Sequence, residues 1–480
     1  MDLSIESIAA AVSGRLRQGS PRTKAEGVST DSRSIRAGEL FIPLKGEHFD
    51  GHDFIGQALQ AGAAGIMISR DWHGPTPPPG TPLIEVADTL TALGDLARAW
   101  AQHAQATIIA ITGSNGKTTT REMTAAILER SHAVLKPRCN WNNLIGLPLT
   151  LLELKPHHRM AVLELGMSRR GEIRRLAEIA GPRIGVITNV GPVHLEYLNT
   201  LEEVALAKGE LLESLGGTAQ AVLNADDPRL APLAGRCAAP ITTFGFAATA
   251  RVRALDPASP ASRENRFTLA MGKERAPVSL KVPGRHSMYN ALAAAAVAGL
   301  CGVGMEDIKA GLEGYTSFPG RMEIIRLDDA ITIINDTYNA NPASMETALT
   351  TLAQLRGNGR GIAVLGDMLE LGEASEAYHR QLGSLIRTLQ IGPVILTGAH
   401  ARTVAAAADA GSTGVSISIA DTHEEIARQL VMTVQPRDWI LFKGSRGMRM
   451  EQGMELFRQL RNARTAMPSP LPAAGAGCNH

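Results

Sequence analysis

This 480-residue chain predicts an α/β protein of three domains, and two observations carry that prediction. Short, nearly continuous apolar runs rich in Ile and Val alternate with helical patterns, as in parallel strands covered on both faces. These runs form two blocks, 87–315 and 316–465, preceded by a shorter stretch, 1–86, with mixed strand and helix signals. The length suits such a division at about 100–200 residues per domain. The expectation is a small α+β N-terminal domain, a central domain on a mainly parallel sheet and a C-terminal Rossmann-like doubly wound domain. A tail at 466–480, rich in Pro, Ala and Gly, has a disordered composition.

In the first domain, residues 4–13 read as a helix, and two short strands between Val28 and Lys45 flank Asp31-Ser32-Arg33. A helix follows at His52–Ala61, then strands at Gly65–Ser69 and Leu83–Ala87 around a proline-rich loop. A helix from Thr89 to Gln105 leads into the central domain, whose strands are expected at 108–111, 160–165, 184–189 and 219–224. Residues 241–282 read as a β-rich excursion and Tyr289–Leu300 as a buried Ala-rich helix. Gly311 through Gly320 reads as a hinge. The third domain repeats the alternation, with strands at 331–335, 362–366, 393–397, 415–419 and 439–443.

Hydrophobic residues make up 44% of the chain but aromatic ones only 4%, so Ala, Leu, Val and Ile must fill the cores. A net charge of +1 without long runs of either sign argues against nucleic-acid or membrane-surface partners. Cys139, Cys237, Cys301 and Cys478 show neither pairing nor metal spacing, as in a reducing compartment. The start, Met-Asp-Leu-Ser-Ile-Glu, lacks a signal-peptide pattern, and Ala291–Met305 is too short and glycine-broken to span a bilayer. A cytoplasmic protein without membrane insertion is expected.

The chemistry centres on Thr112-Gly113-Ser114-Asn115-Gly116-Lys117-Thr118-Thr119, set between an apolar strand and a helix. Glycines let the backbone curl its N–H groups onto an anion, and the helix N-terminus adds its dipole. Lys117 can reach terminal phosphates and the Thr118 hydroxyl can ligate magnesium. This makes the central block a P-loop ATPase domain. The usual extra glycine is absent, since Ile111 stands there, and the shortened form points to ATP-dependent amide ligases.

Glu164 ends an apolar strand at the edge where such sheets bind ligands; an ion-paired edge residue would look the same. His194 follows another strand end and fits either a loop histidine or a ligand. Lys208 falls in the apolar stripe of the 201–215 helix, and Glu202, Glu203, Glu210 and Glu213 all miss the spacings that would pair with it. Asn140, Asn142 and Asn143 form a cluster that suits sugar or phosphate oxygens, or merely a turn. In the third domain, Arg321 follows the hinge glycine and suits a phosphate. Asp336 ends a strand ahead of Asn339 and Asn341, and Lys443-Gly444-Ser445-Arg446 ends another and suits capture of a carboxylate.

With Thr112–Thr119, Asp336–Met345, Gly366-Asp-Met-Leu-Glu-Leu-Gly372 and Lys443–Arg446 in place, the chain resembles the Mur ligase family over all but its tail. The resemblance implies an ATP-dependent amide ligase acting in peptidoglycan precursor synthesis. The motifs of the third domain are typical of the member that joins D-alanyl-D-alanine to a UDP-N-acetylmuramoyl-tripeptide. It implies UDP-sugar contacts at Asp31, Ser32, Arg33 and the three asparagines, and ATP contacts at Gly113–Thr119, Asn290, Arg321 and Asp336. Arg321 would meet the γ-phosphate. Asn339, Asn341, Lys443, Ser445 and Arg446 fall on the D-alanyl-D-alanine side. One magnesium would lie at Thr118 and Glu164, and a second at His194 and a carbamylated Lys208. Lys117, His194, Lys208 and Arg321 would be the catalytic residues, in a monomer. Two positions depart from the family pattern: Cys139 replaces a glycine before the asparagines, and Ser287 replaces an asparagine after Gly-Arg-His.

The implied chemistry follows from the problem of making an amide. A carboxylate has no leaving group, so ATP converts it to an acyl phosphate that an amine then attacks, expelling phosphate. Closure of the domains would keep water from that intermediate. The family member that adds the third peptide residue carries Asp-Asn-Pro-Arg in its third domain, which is absent here, and a folylpolyglutamate synthase would lack the first domain. A non-catalytic ATP-gated binding protein would have no need of Lys117, Glu164, His194 and Lys208 together.

Overall fold

The computed structural model describes residues 3–137, 140–258, 264–327, 330–410 and 416–465. Cys139, Cys478 and the tail from 466 lie outside them. The chain forms two compact units, which meet in sequence between Thr316 and Ser317.

The first unit holds two principal sheets. The N-terminal one has five strands in the order Arg15–Gln18, Leu83–Val86, Gly65–Ser69, Glu39–Phe41, Gly27–Ser29. Three of its four pairings are parallel. Phe41, Ile55, Ile66, Ile68 and Leu83 close its core. The edge strand Arg-Leu-Arg-Gln carries one apolar residue and no strand signal; pairing with Leu83–Val86 makes it a strand. The helix expected at 52–61 is a single 3-10 turn, Gly51–Phe54, followed by Ile55–Gln60.

Helix Thr89–Ala104 begins where Asp88 caps the Thr91 N–H at 2.7 Å and ends at Gln105 in the left-handed region. It packs on helices Gly146–Leu152 and Glu172–Ala180 and so joins the N-terminal sheet to the nine-stranded central one.

The central order is Glu274–Leu280, Asn265–Met271, Val252–Leu255, Ile241–Gly245, Gln220–Asn224, Ile184–Ile187, Thr107–Thr112, Met160–Glu164, Val134–Leu135. Every pairing from Val134–Leu135 to Val252–Leu255 is parallel, and the last two, of Asn265–Met271 with Val252–Leu255 and with Glu274–Leu280, are antiparallel. Residues 241–282 are therefore not an excursion; their strands extend the main sheet. Their alternating exposure is that of an edge, which hid the continuity from a reading based on apolar runs. Helix Arg285–Leu300 is polar in its first turns and apolar all round from Ala291 to Val297, where it is buried, and it packs against helix Lys117–Leu128.

The hinge expected from Gly311 is corrected at its start. Gly311 and Gly314 belong to helix Met305–Gly314, and a Cβ on Gly311 would come within 2.6 Å of the Ile127 backbone. Gly311 permits two helices to touch. Gly320, at φ +73°, keeps a turn conformation that favours glycine.

The second unit carries a six-stranded sheet in the order Glu323–Arg326, Thr332–Asp336, Trp439–Lys443, Gly361–Leu365, Val394–Leu396, Ile417–Ile419. All pairings are parallel except that of the unexpected first strand. Because Trp439–Lys443 is inserted between two earlier strands, Asp336 and Lys443 sit side by side at the carboxyl edge, and Leu365 pairs on the other side of Lys443. No described helix is long and apolar enough to cross a membrane.

His379, 1% exposed, buttresses that edge. Its Nδ1 contacts the Ser375 carbonyl at 2.7 Å and its Nε2 the Met368 N–H at 3.0 Å, which together require the neutral, Nδ1-protonated ring. Burial holds its pKa below the ordinary 6.5. The unfolded chain therefore binds more protons than the folded one below that pH, so stability should fall as pH drops through 6.5, by up to about 1.4 kcal/mol per pH unit. Thermal unfolding at pH 5–7 checks this. His379→Gln, which offers an oxygen to Met368 without titrating, should flatten the slope; an unchanged slope would place the acid sensitivity elsewhere.

Candidate active site

Strand Thr107–Thr112 runs into Gly113, and Gly116 at φ +83° starts helix Lys117–Leu128. Glycine is required at both turns. A Cβ at Gly113 would fall 1.8 Å from Thr188 Oγ1, and one at Gly116 would fall 2.2 Å from Asn290 Oδ1. The loop between them is held by the next strand's exit. Ser114 Oγ donates to the Gly191 carbonyl at 3.0 Å, Asn115 N donates to Asn189 Oδ1 at 2.9 Å, and Thr188 Oγ1 donates to the Asn115 carbonyl at 2.6 Å. Thr188 and Asn189 are functional supports that the sequence reading missed. Lys117 Nζ donates to the Gly113 carbonyl at 2.7 Å, which folds its ammonium over the loop. Thr118 is buried in the first turn and Thr119 is half-buried.

Glu164 ends the adjacent strand, 1% exposed, in register with Ile111. Arg121, fully buried one turn beyond Lys117, brings Nη1 to 2.9 Å from Glu164 Oε1 and also binds Glu122, which Lys136 Nζ approaches at 3.0 Å. The sequence reading did not single out Arg121; a charged residue on the inner face of a phosphate-loop helix was the available signal. The ion pair lies outside hydrogen-bonding geometry, so Glu164 Oε1 keeps acceptor capacity.

Lys208 is 2% exposed at the centre of helix Leu201–Glu213. Burial pushes its pKa well below 10.5, and the Lys117 ammonium pushes it further. Among the described residues no carboxylate pairs with it. His194 is half-buried three residues past Gly191, in the left-handed region at φ 54°.

Among the described residues no three His, Cys, Asp or Glu side chains gather into a metal cage. Magnesium seldom uses one; it takes one or two protein oxygens and completes its shell with phosphates and water. The Thr118 hydroxyl and the under-used Glu164 oxygen fit that pattern. A charged Lys208 does not, because an ammonium offers no lone pair.

Asn290 faces the loop from helix Arg285–Leu300, and its Oδ1 accepts from Thr120 Oγ1 at 3.3 Å. Ser287 turns its hydroxyl back onto the Pro283 carbonyl at 2.8 Å. Asp226, also missed, accepts from Phe246 N, Ala247 N and the Tyr289 hydroxyl, and pushes the Tyr289 pKa up, after burial, to about 12. Of the asparagines, Asn143 accepts from Ile145 N and Gly146 N just ahead of helix Gly146–Leu152, whereas Asn142 lies against Gly166 beside the Glu164 strand end. Asn140 is exposed and its carbonyl accepts from Asn142 N. In the N-terminal sheet, Asp31 takes three bonds from Arg33, which lower its pKa to about 2, and Ser32 binds Gln57 at 2.9 Å.

In the second unit, Lys443, 1% exposed, is bonded to Asp336 and donates to the Asn339 carbonyl at 2.9 Å. Burial lowers its pKa, and Asp336 offsets part of that effect. Arg321 stacks on Tyr338 at 3.7 Å from the ring centroid, and Arg446 lies at 6.0 Å from it. Asn341 is committed locally: its Oδ1 accepts from Ser344 N at 2.9 Å in a capping box at the start of helix Pro342–Arg356. Ser445 Oγ accepts from Leu369 N at 2.8 Å and so ties the two strand ends together.

The Lys443–Asp336 pair makes a sharp stability prediction. Lys443→Met leaves a buried carboxylate uncompensated and should cost about 3–5 kcal/mol in unfolding, whereas Lys443→Met with Asp336→Asn should recover most of it. Denaturant melts of the three proteins decide the matter, and equal losses in single and double variants would contradict it.

Comparison with known proteins gives a consistent picture. Profiles described as "Mur ligase family, catalytic domain", "Mur ligase middle domain" and "Mur ligase, glutamate ligase domain" match residues 24–101, 111–298 and 320–446. The UDP-N-acetylmuramoyl-tripeptide–D-alanyl-D-alanine ligase of Bacillus subtilis is 37% identical over 94% of this chain and 97% of its own. Among solved structures, MurF from Acinetobacter baumannii superposes with a TM-score of 0.86 at 32% identity, covering 95% of this chain and 99% of its own. MurF ligase from Thermotoga maritima in complex with ADP gives 0.81 at 30%, covering 91% and 98%. With similarity of this extent along nearly its whole length, the chain belongs to the Mur ligase family.

Proposed function

We propose that the chain is an ATP-dependent ligase that joins D-alanyl-D-alanine to the terminal carboxylate of a UDP-N-acetylmuramoyl-tripeptide, releasing ADP and phosphate. The observation that carries this reading is the near-full-length similarity to ligases named for that reaction, with the phosphate loop intact. The Thermotoga relative's complex with ADP supports nucleotide binding by this chain.

A tripeptide carboxylate oxygen attacks the γ-phosphorus, the bond to ADP breaks, and an acyl phosphate forms. The amine of D-alanyl-D-alanine then adds to the carbonyl carbon, its proton leaves, and the bond to phosphate breaks. Gly113–Thr119 cradle the phosphates, Lys117 offsets charge on the transferring group, and Arg321 is assigned to the γ-phosphate. Asn290 and Asp336 are assigned to the nucleoside. Asp31, Ser32, Arg33, Asn140 and Asn142 are assigned to the UDP-sugar, and Asn339, Ser445 and Arg446 to the dipeptide side.

Magnesium, when bound, spreads the charge of the phosphoryl oxygens; Thr118 and Glu164 would hold one ion, His194 and Lys208 a second. For Lys208 this requires a carbamate. Burial favours the neutral amine, whose lone pair forms a bond to the carbon of CO2 while a proton leaves to water, giving an anionic oxygen ligand. We assign the protein to the cytoplasm as a monomer, with residues 1–86, 87–315 and 316–465 as its domains. Mass analysis of the product tests the reaction. A nucleotide-linked pentapeptide should appear only with ATP, UDP-tripeptide and D-alanyl-D-alanine together, and failure to form it in a folded protein that binds all three would overturn the proposal.

A further inference from the structure

Helix Glu172–Ala180 starts without a cap of its own. Its N-cap residue is Gly171, at φ +89°, which has no side chain to offer the first N–H groups. The cap arrives from a different helix. Glu210, 2% exposed, accepts from Gly171 N at 2.8 and 3.0 Å and from Arg174 N at 3.1 Å. Its helix neighbours tie to the same turn at the surface: Glu203 to Arg170 at 3.2 Å and Glu213 to Arg174 at 2.9 Å. Those exposed pairs contribute little each, whereas a buried carboxylate on helix N–H groups is a strong, charge-assisted clamp.

What the clamp joins gives it meaning. Gly171 closes the loop that leaves Glu164, and Glu210 lies two residues from Lys208 on helix Leu201–Glu213. Residues two apart on a helix point in different directions. With Glu210 committed to one side, the helix cannot rotate, and Lys208 is fixed on another face without a carboxylate partner. We propose that Glu210 is a positioning residue that sets the place of Lys208 relative to Glu164. This rests on the reading of Lys208 as a carbamylated ligand.

The test compares the full-length enzyme with Glu210→Gln and Glu210→Asp. The glutamine keeps one acceptor but turns an NH2 toward a donor, and the aspartate keeps the charge but falls short in reach. Carbon NMR after equilibration with isotope-labelled bicarbonate reads Lys208 carbamylation directly, alongside kcat, KM for ATP and the melting temperature. Both variants should lose carbamate signal, and kcat should fall about tenfold to a hundredfold with KM for ATP within about twofold, because the phosphate loop is untouched. A lower melting temperature with unchanged carbamate signal and kcat in either folded variant would make Glu210 a structural cap only and overturn the proposal. Absence of the signal in the unsubstituted enzyme would instead sink the carbamate reading, and this inference with it.

Discussion

Lys117→Ala is expected to lower ligation by about a thousandfold or more while leaving the fold in place. The side chain is half-buried, and its ammonium donates to the Gly113 carbonyl at 2.7 Å. Losing such a bond costs about 1 kcal/mol, so the melting curve should move by only a few degrees. The chemistry has no such reserve. As phosphoryl transfer proceeds, charge builds on oxygens beside the loop, and no backbone N–H can replace a full positive charge there. Near-normal turnover in Lys117→Ala would remove the loop from the active site.

Lys208→Ala should lose activity to a similar degree, and acetate should restore part of it by supplying an anionic oxygen in the vacated space. Lys208→Arg should be inactive and resist rescue, since a guanidinium stays charged and fills the site. The prediction rests on burial, on the Lys117 ammonium that acts on it and on the lack of a carboxylate partner among the described residues. An ammonium can neither ligate a metal nor sit comfortably near one. Wild-type turnover in Lys208→Arg would show that the amine itself is dispensable as a carbamate precursor.

How far the sequence revealed this depends on how local the signal was. The phosphate loop was legible because its constraint is local: two glycines, a lysine and a threonine between an apolar strand and a helix. Lys208 was legible because a charge in an apolar stripe conflicts with helix amphipathicity. The edge elements were not: Arg15–Gln18 and Glu323–Arg326 become strands only by pairing with distant segments. Arg121 was hidden because Glu164, with which it pairs, is far away in sequence and meets it only where helix Lys117–Leu128 packs by the end of strand Met160–Glu164. At Asn143 and Asn341 the residue type suggested ligands, while the local role of each side chain, accepting from Gly146 N and from Ser344 N, was not read from the sequence. Glu210 entered the sequence reading only as a glutamate that misses the spacing for Lys208, because the N–H groups it accepts from lie 36 and 39 residues away.

The central claim is that the protein couples ATP cleavage to amide formation, and phosphate release under substrate omission tests it most directly. With ATP, magnesium, UDP-N-acetylmuramoyl-tripeptide and D-alanyl-D-alanine all present, phosphate should appear at one equivalent per amide formed. Omission of either peptide substrate should reduce release to a small residual rate. Equal phosphate release with and without D-alanyl-D-alanine, in protein that makes no amide, would contradict the account.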